Sequence, residues 1–222
     1  MLRKTKTFND RLILTFSRKS NYYLSIMQNL PNILSFLRIL LAPIFLFMYL
    51  QDELVWRSLS IAVFAIAAVT DYFDGYIART YNVESPSGVF LDPLADKILT
   101  FAGFICLPFL SAGQFPWWAI GLIIARDIGV TMLRVYANYQ NFEMETRSLA
   151  KFKTLFQMIF LYVALLIGVF LQAEIMFSSH VQSFMDTGIM GWILILVVIV
   201  TVYTGLEYIY VNRHLFTKSK PA

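Results

Sequence analysis

Six apolar runs separated by short polar stretches make up most of the chain after residue 28, at 33–50, 56–78, 93–111, 116–137, 153–176 and 189–211. A helix needs about 20 apolar residues to cross the roughly 30 Å of bilayer hydrocarbon, and each run is near that length. Backbone groups in hydrocarbon must be satisfied within the segment, which selects helices. The pattern therefore predicts an all-α, polytopic membrane protein with six transmembrane helices. Pro116 followed by Trp117 and Trp118 suits a helix start at the headgroup level, where Trp is favoured. No internal repeat, low-complexity tract or soluble domain interrupts the pattern.

Composition agrees with the pattern. Of 222 residues, 58% are hydrophobic and only 14% charged, against about 45–50% and about 25% in soluble domains. The one cysteine, Cys106, lies in an apolar run and reads as packing. It leaves no internal disulfide framework and no Cys-based metal site. His180 and His214 are far apart in sequence and outside the apolar cores, so a His/Cys transition-metal site lacks support.

Charge adds orientation. Before the first run lie Arg3, Lys4, Lys6, Arg11, Arg18 and Lys19; the 134–153 region adds Arg134, Arg147, Lys151 and Lys153, and the tail Arg213, Lys218 and Lys220. The 112–115 and 177–188 loops carry no Lys or Arg, and the 51–57 loop has only Arg57. The positive-inside rule puts both termini in the cytoplasm. The net charge of +4 thus reflects topology, and nucleic acid is not an expected partner. The expected organisation is a basic amphipathic segment at 1–28, a transmembrane domain at 29–211 and a cytoplasmic tail at 212–222. Basic residues mixed with Leu, Ile, Phe and Tyr suit a membrane-surface helix over 1–28. The alternative is an extension ahead of a start at Met27. A signal peptide does not fit, because no apolar core leads to a small-residue cleavage site.

Against this apolar background stand four carboxylates, Asp71, Asp74, Asp92 and Asp96. An ionised group deep in a bilayer costs roughly 2.5–3.5 kcal/mol on insertion scales, so clustered acids need a task or a counter-ion. At 100° per residue Asp71, Asp74, Gly75, Ala78 and Arg79 share one face at the cytoplasmic end of the second helix. Gly88, Asp92 and Asp96 recur every four residues at the start of the third. Two antiparallel helices joined by a short loop would bring the acids into one cytosolic pocket. An all-oxygen cluster without His or Cys favours Mg²⁺, Mn²⁺ or Ca²⁺, and four acids balance two divalent ions, an arrangement suited to phosphoryl displacement. Gly75 and Ala78 leave room for a ligand, and Arg79 offers a planar fork of donors for phosphate. Two plainer readings compete: Asp92 as an N-cap ahead of Pro93, and the acids as an ion pathway.

The pattern D-x2-D-G-x2-A-R-x8-G-x3-D-x3-D, filled at every fixed position from Asp71 to Asp96, resembles the signature of the CDP-alcohol phosphotransferases. Eight fixed residues at fixed spacing arise by chance with a probability on the order of 10⁻¹⁰ per start site. The resemblance implies transfer from a CDP-linked lipid to an alcohol with release of CMP. It implies Asp71, Asp74, Asp92 and Asp96 as ligands of two Mg²⁺ or Mn²⁺ ions, with Asp96 also the catalytic base on the acceptor hydroxyl. Asn32, Gly75, Ala78, Arg79 and Gly88 would bind the CDP-lipid. A homodimer in a bacterial inner membrane is expected on the same ground.

The acceptor rests on other segments. Asn29-Leu-Pro31-Asn32 through Arg38 with Pro43, Arg126-Asp127 with Val130 through Arg134, and Lys151-Phe-Lys153-Thr154 with Gln157 resemble segments of the phosphatidylglycerophosphate-synthase subgroup. Asp127 stands where that subgroup has Glu, and Ala150 where it has Gly. This implies CDP-diacylglycerol as donor and sn-glycerol 3-phosphate as acceptor, its phosphate received by Arg134, Lys151 and Lys153. The alternatives are a cardiolipin-synthase-type enzyme, another acceptor such as inositol phosphate or serine, and, outside the class, an ion transporter or a non-catalytic scaffold. Lys151 and Lys153 also fit ordinary positive-inside anchoring. Arg126, beside Asp127 in mid-helix, fits either substrate contact or a pair that holds the bundle together.

Overall fold

The structure, a computed structural model, describes residues 33–81, 88–139, 148–173 and 178–213; for 71–81, 88–94, 96, 138 and 148–151 it describes the backbone alone. Among the described residues there are seven helices and no strand. They are α1 (Ile33–Tyr49), α2 (Leu54–Tyr81), α3 (Gly88–Leu110), α4 (Trp117–Tyr139), α5 (Ser148–Gln172), α6 (Ser178–Asp186) and α7 (Ile189–Val211). All but α6 follow the six apolar runs. The starts of α3 and α5 lie ahead of the runs, because the helical ladder continues into polar sequence that hydropathy excludes. Helix α3 begins at Gly88, so Asp92 lies inside it and the N-cap reading of Asp92 is overturned.

Two helical segments, Phe152–Gln172 and Ile189–Val211, are long and apolar enough to cross a membrane. The apolar stretches of α1, α2 and α3 are shorter, at Ile33–Tyr49, Leu54–Thr70 and Lys97–Leu110. In α2 the apolar stretch stops where the acidic motif begins, in α3 it starts where the motif ends, and α4 is interrupted by Arg126, Asp127 and Arg134. What these helices expose supports a lipid environment. On α7 one stripe, including Leu194, Val197, Thr201 and Tyr208, is buried, while Trp192, Leu196, Ile199, Tyr203 and Leu206 stand exposed on the other side. A helix of a water-soluble domain would carry polar residues there.

The core joins α1, α2 and α5 through aromatic pairs. Phe45 lies 4.9 Å from Phe64 and 5.8 Å from Tyr49, and Phe64 meets Tyr162 edge-on at 5.1 Å. The Tyr49 hydroxyl donates to the Leu165 carbonyl at 3.1 Å. It occupies the space where a side chain at Gly168 would stand. On α3, a Cβ at Gly103 would lie 2.9 Å from Leu161 Cδ2, so that glycine permits close approach of α3 and α5.

The connections are held locally. Arg57, early in α2, donates from Nε to the Tyr49 carbonyl at 3.0 Å and from Nη2 to that of Gln51 at 3.4 Å, covering orphan carbonyls at the end of α1. The segment expected as a loop at 177–188 holds α6, whose Met185 is buried and whose Met185 carbonyl accepts from Gln114 Nε2 at 2.5 Å. Gly188 turns the chain into α7 at φ 73°, a left-handed conformation that glycine adopts without a Cβ penalty.

Candidate active site

Asp71, Asp74, Gly75, Ala78 and Arg79 fall on the last turns of α2, and Gly88, Asp92 and Asp96 on the first turns of α3. The α-helix is unbroken over both stretches, which preserves the angular spacing on which their shared faces depend. Helices α2 and α3 pack against each other. The side chains of these eight residues, and Asn32 entirely, lie outside the described residues. Among the residues whose side chains are described, no group of three His, Cys, Asp or Glu is placed to hold a metal. The acidic motif is not among them. Its donor set, carboxylates on two helix ends with no His or Cys in the motif, fits a hard divalent cation.

From Lys97, the residue after Asp96, a cleft of about 710 Å³ opens between α3, α4, α5 and α7. Its polar lining is Lys97, Arg126, Asp127, Thr131, Arg134, Thr154 and Tyr208, and Val130, Leu155 and Met158 supply apolar wall. Arg134 is exposed, and its guanidinium carbon stands 6.0 Å from the centre of the Tyr208 ring, within cation–π reach.

Asp127 is the centre of this region. It is 2% exposed, and groups from three helices converge on its carboxylate. Lys153 Nζ of α5 donates to Oδ1 at 2.6 Å, and Arg126 Nη1 of α4 to the same oxygen at 3.0 Å. Gln157 Nε2 of α5 donates to Oδ2 at 3.3 Å, and Lys97 Nζ of α3 stands 3.9 Å from that oxygen. Lys153 and Gln157 are buried with it. Their spacing of four residues puts both on one face of α5, which is why a single carboxylate meets both.

Arg126 uses the rest of its fork on α7. Its Nε donates to the Thr201 carbonyl at 3.1 Å, and Nη2 to Thr204 Oγ1 at 3.1 Å. Thr204 Oγ1 in turn donates a hydrogen bond to the Val200 carbonyl at 2.8 Å. Gly205 makes space for the arginine stem: a Cβ there would lie 2.9 Å from Arg126 Cγ. The pair expected either to touch substrate or to hold the bundle together thus does bind α4 to α7, with the guanidinium at the edge of the cleft.

Of the basic residues expected to receive an acceptor phosphate, Arg134 lines the cleft. Lys153 lies buried against Asp127, and Lys151 is described by its backbone alone. Lys97 was not singled out from sequence; its position directly after the acidic motif was the available signal. Together the cleft and its floor carry four cations, Lys97, Arg126, Arg134 and Lys153, against one carboxylate, Asp127, among the described residues.

Comparison with known proteins accords with this geometry. A probable phosphatidylglycerophosphate synthase of Mycobacterium tuberculosis is 41% identical over 112 residues, covering 49% of this chain and 53% of the relative. The chain therefore spans about half the length of that protein. A CDP-diacylglycerol–glycerol-3-phosphate 3-phosphatidyltransferase of Rickettsia typhi is 35% identical over 140 residues, 63% of this chain and 78% of the relative. The protein of that name from Bacillus subtilis is 34% identical over 198 residues, 84% of this chain and 96% of the relative. The CDP-alcohol phosphatidyltransferase family model matches residues 28–203, a stretch that contains the acidic motif and the cleft's Lys97, Arg126 and Arg134, and the chain belongs to that family.

Proposed function

We propose that this protein transfers the phosphatidyl group of CDP-diacylglycerol to sn-glycerol 3-phosphate, forming phosphatidylglycerophosphate and CMP. The observation that carries the reading is the complete acidic motif on the adjoining ends of α2 and α3, one residue from a cleft lined by Lys97, Arg126 and Arg134. An acceptor that itself bears phosphate suits such a cleft better than a neutral alcohol. The names of the relatives point the same way.

In the proposed reaction the acceptor's hydroxyl oxygen bonds to the phosphorus that carries diacylglycerol. The bond from that phosphorus to the bridging oxygen breaks, and CMP leaves with the electron pair. Asp96 takes the hydroxyl proton, a role that positioned carboxylates perform in general-base catalysis. Asp71, Asp74, Asp92 and Asp96 would hold Mg²⁺ or Mn²⁺, as a pair; bound, the metal neutralises the diphosphate and makes CMP a better leaving group. Gly75, Ala78, Arg79, Gly88 and Asn32 serve the CDP-lipid, and Arg134, Lys151 and Lys153 the acceptor phosphate. The charge distribution supports six spans with both termini and the site on the cytoplasmic face of a bacterial inner membrane. In that position the donor's acyl chains remain in hydrocarbon while its headgroup meets a soluble acceptor. A homodimer belongs to the same reading.

The test is purified protein with CDP-diacylglycerol, Mg²⁺ or Mn²⁺ and a panel of alcohols, following CMP. CMP release with glycerol 3-phosphate, abolished by a chelator and restored by excess metal, is expected. No CMP with any acceptor refutes the reaction, and activity with inositol phosphate or phosphatidylglycerol alone refutes the acceptor.

A further inference from the structure

At the helix ends opposite the acidic motif, the ends of α1, α3 and α5 and the start of α2 line a second cavity of about 260 Å³. Tyr49, Arg57 and Gln172 are its polar lining, and Phe109 stands on its apolar wall. Arg57 lies about four turns ahead of Asp71 on α2, roughly 21 Å along the axis, so this cavity is separate from the candidate active site. Exposed tryptophans flank it: Trp56 adjoins Arg57 in sequence, and Trp117 meets Phe109 edge-on at 5.4 Å. Trp favours the headgroup level of a bilayer. Phe109 is itself exposed, which sets the cavity at that level, beside hydrocarbon.

Two polar atoms at this cavity are unanswered. Arg57 uses Nε on the Tyr49 carbonyl and Nη2 on that of Gln51, and its guanidinium carbon stands 5.4 Å from the centre of the Tyr49 ring. These contacts fix the fork and leave Nη1 with no partner among the described residues, Asp52 and Glu53 included. Gln172 donates from Nε2 to the Asp52 carbonyl, which sets the orientation of the amide, and its buried Oε1 has no hydrogen-bond partner. Buried polar atoms are almost always paired. A donor and an acceptor left open at one cavity fit a ligand that supplies the converse of each.

We propose that this cavity binds the headgroup of a phospholipid in the leaflet away from the acidic motif. The phosphate accepts from Arg57 Nη1, a pairing that guanidinium groups favour. A hydroxyl or ammonium of the same headgroup donates to Gln172 Oε1. The volume suits a headgroup alone, being below the roughly 300–1,000 Å³ of sites that enclose a whole drug-sized ligand. The acyl chains then pass Phe109 into hydrocarbon. This inference rests on the membrane setting and not on the reaction proposed above.

The experiment takes the full-length protein, stripped of lipid in detergent micelles, and follows its melting temperature against added phosphatidylethanolamine, phosphatidylcholine or inorganic phosphate. A ligand that binds only the folded state raises the melting temperature. The two lipids carry the same charge and differ in N–H donors. Phosphatidylethanolamine is expected to act at a concentration at least tenfold below that of phosphatidylcholine, and inorganic phosphate to have no effect. Arg57→Gln is expected to weaken the response at least tenfold. That variant also uncovers carbonyls at the end of α1, so the readout is the response to lipid and not the starting melting temperature. Gln172→Leu leaves the contacts of Arg57 in place and is expected to abolish the preference for phosphatidylethanolamine. No response to either lipid overturns the proposal, as does a response unchanged in Arg57→Gln, one matched by inorganic phosphate, or a preference that survives Gln172→Leu. Glu174 follows Gln172 closely in sequence and lies outside the described residues. A response that emerges only in Glu174→Gln would show the arginine already paired, and overturns the proposal as well.

Discussion

Gly168 on α5 should not tolerate even one methyl group, and the reason is a single hydroxyl. Tyr49 reaches across from α1, donates to the Leu165 carbonyl at 3.1 Å, and its oxygen fills the space beside Gly168. An alanine Cβ would overlap that oxygen and stand 3.2 Å from Tyr49 Cζ and 3.3 Å from Leu110 Cδ1. If the ring holds its place, overpacking costs about 1–3 kcal/mol. If the ring swings away, the hydrogen bond is lost and a buried hydroxyl is left unpaired, again about 1–3 kcal/mol. Alanine's better helix propensity returns up to about 1 kcal/mol. Gly168→Ala should therefore destabilise the protein by roughly 2 kcal/mol. Tyr49→Phe removes the offending oxygen and leaves only the two contacts above 3 Å, which small shifts relieve. In that background Gly168→Ala should cost close to nothing, so the two changes couple favourably by about 1–2 kcal/mol. The assay is the unfolding midpoint of the four proteins in detergent, followed by far-ultraviolet circular dichroism. An equal cost of Gly168→Ala in both backgrounds would refute the contact, and so would a single variant as stable as the parent.

Two further predictions concern the site. Gly205→Ala would bring a methyl group within 2.9 Å of Arg126 Cγ, pushing the fork off Thr201 and Thr204; a lower melting temperature together with a raised KM for glycerol 3-phosphate is expected, and no change in either would show that the arginine adapts freely. Asp96→Asn should lower kcat at least ~100-fold, the smaller end of what a general base contributes, while CDP-diacylglycerol binding stays measurable by equilibrium titration. Loss of folding in that variant would assign Asp96 a structural role instead.

Much of the helical scaffold is legible in the sequence because its cause is local. The six apolar runs predict helices close to α1–α5 and α7, and Trp117 begins α4 where the Pro-Trp-Trp signal suggested. Helix α6 escaped notice for a matching reason. Ser178–Asp186 is short and mostly polar, and Met185 is its one fully buried residue, so no periodic apolar signal marks it. The competing N-cap reading of Asp92 failed for a different reason. An Asp-Pro pair resembles a helix start, yet α3 already runs from Gly88.

The sequence by itself supplies the donor set of the acidic motif. Residue type and spacing decide that four carboxylates recur on helix faces and favour a hard cation, whatever the surrounding fold. It also points to a membrane protein, because apolar runs such as 189–211 present no broad polar face to water. Only the tertiary structure decided what Lys97, Arg126, Asp127 and Lys153 do. Spacing placed Lys151 and Lys153 together as basic residues near the cytosolic edge and left Arg126 open between substrate contact and bundle pairing. Packing α5 against α3 and α7 against α4 turned Lys153 inward to Asp127 at 2.6 Å and Arg126 to Thr201 and Thr204. Ion pairs and hydrogen bonds reach only about 3–4 Å, and Asp127 meets Lys97 and Lys153, and Arg126 meets Thr201, only when four helices pack.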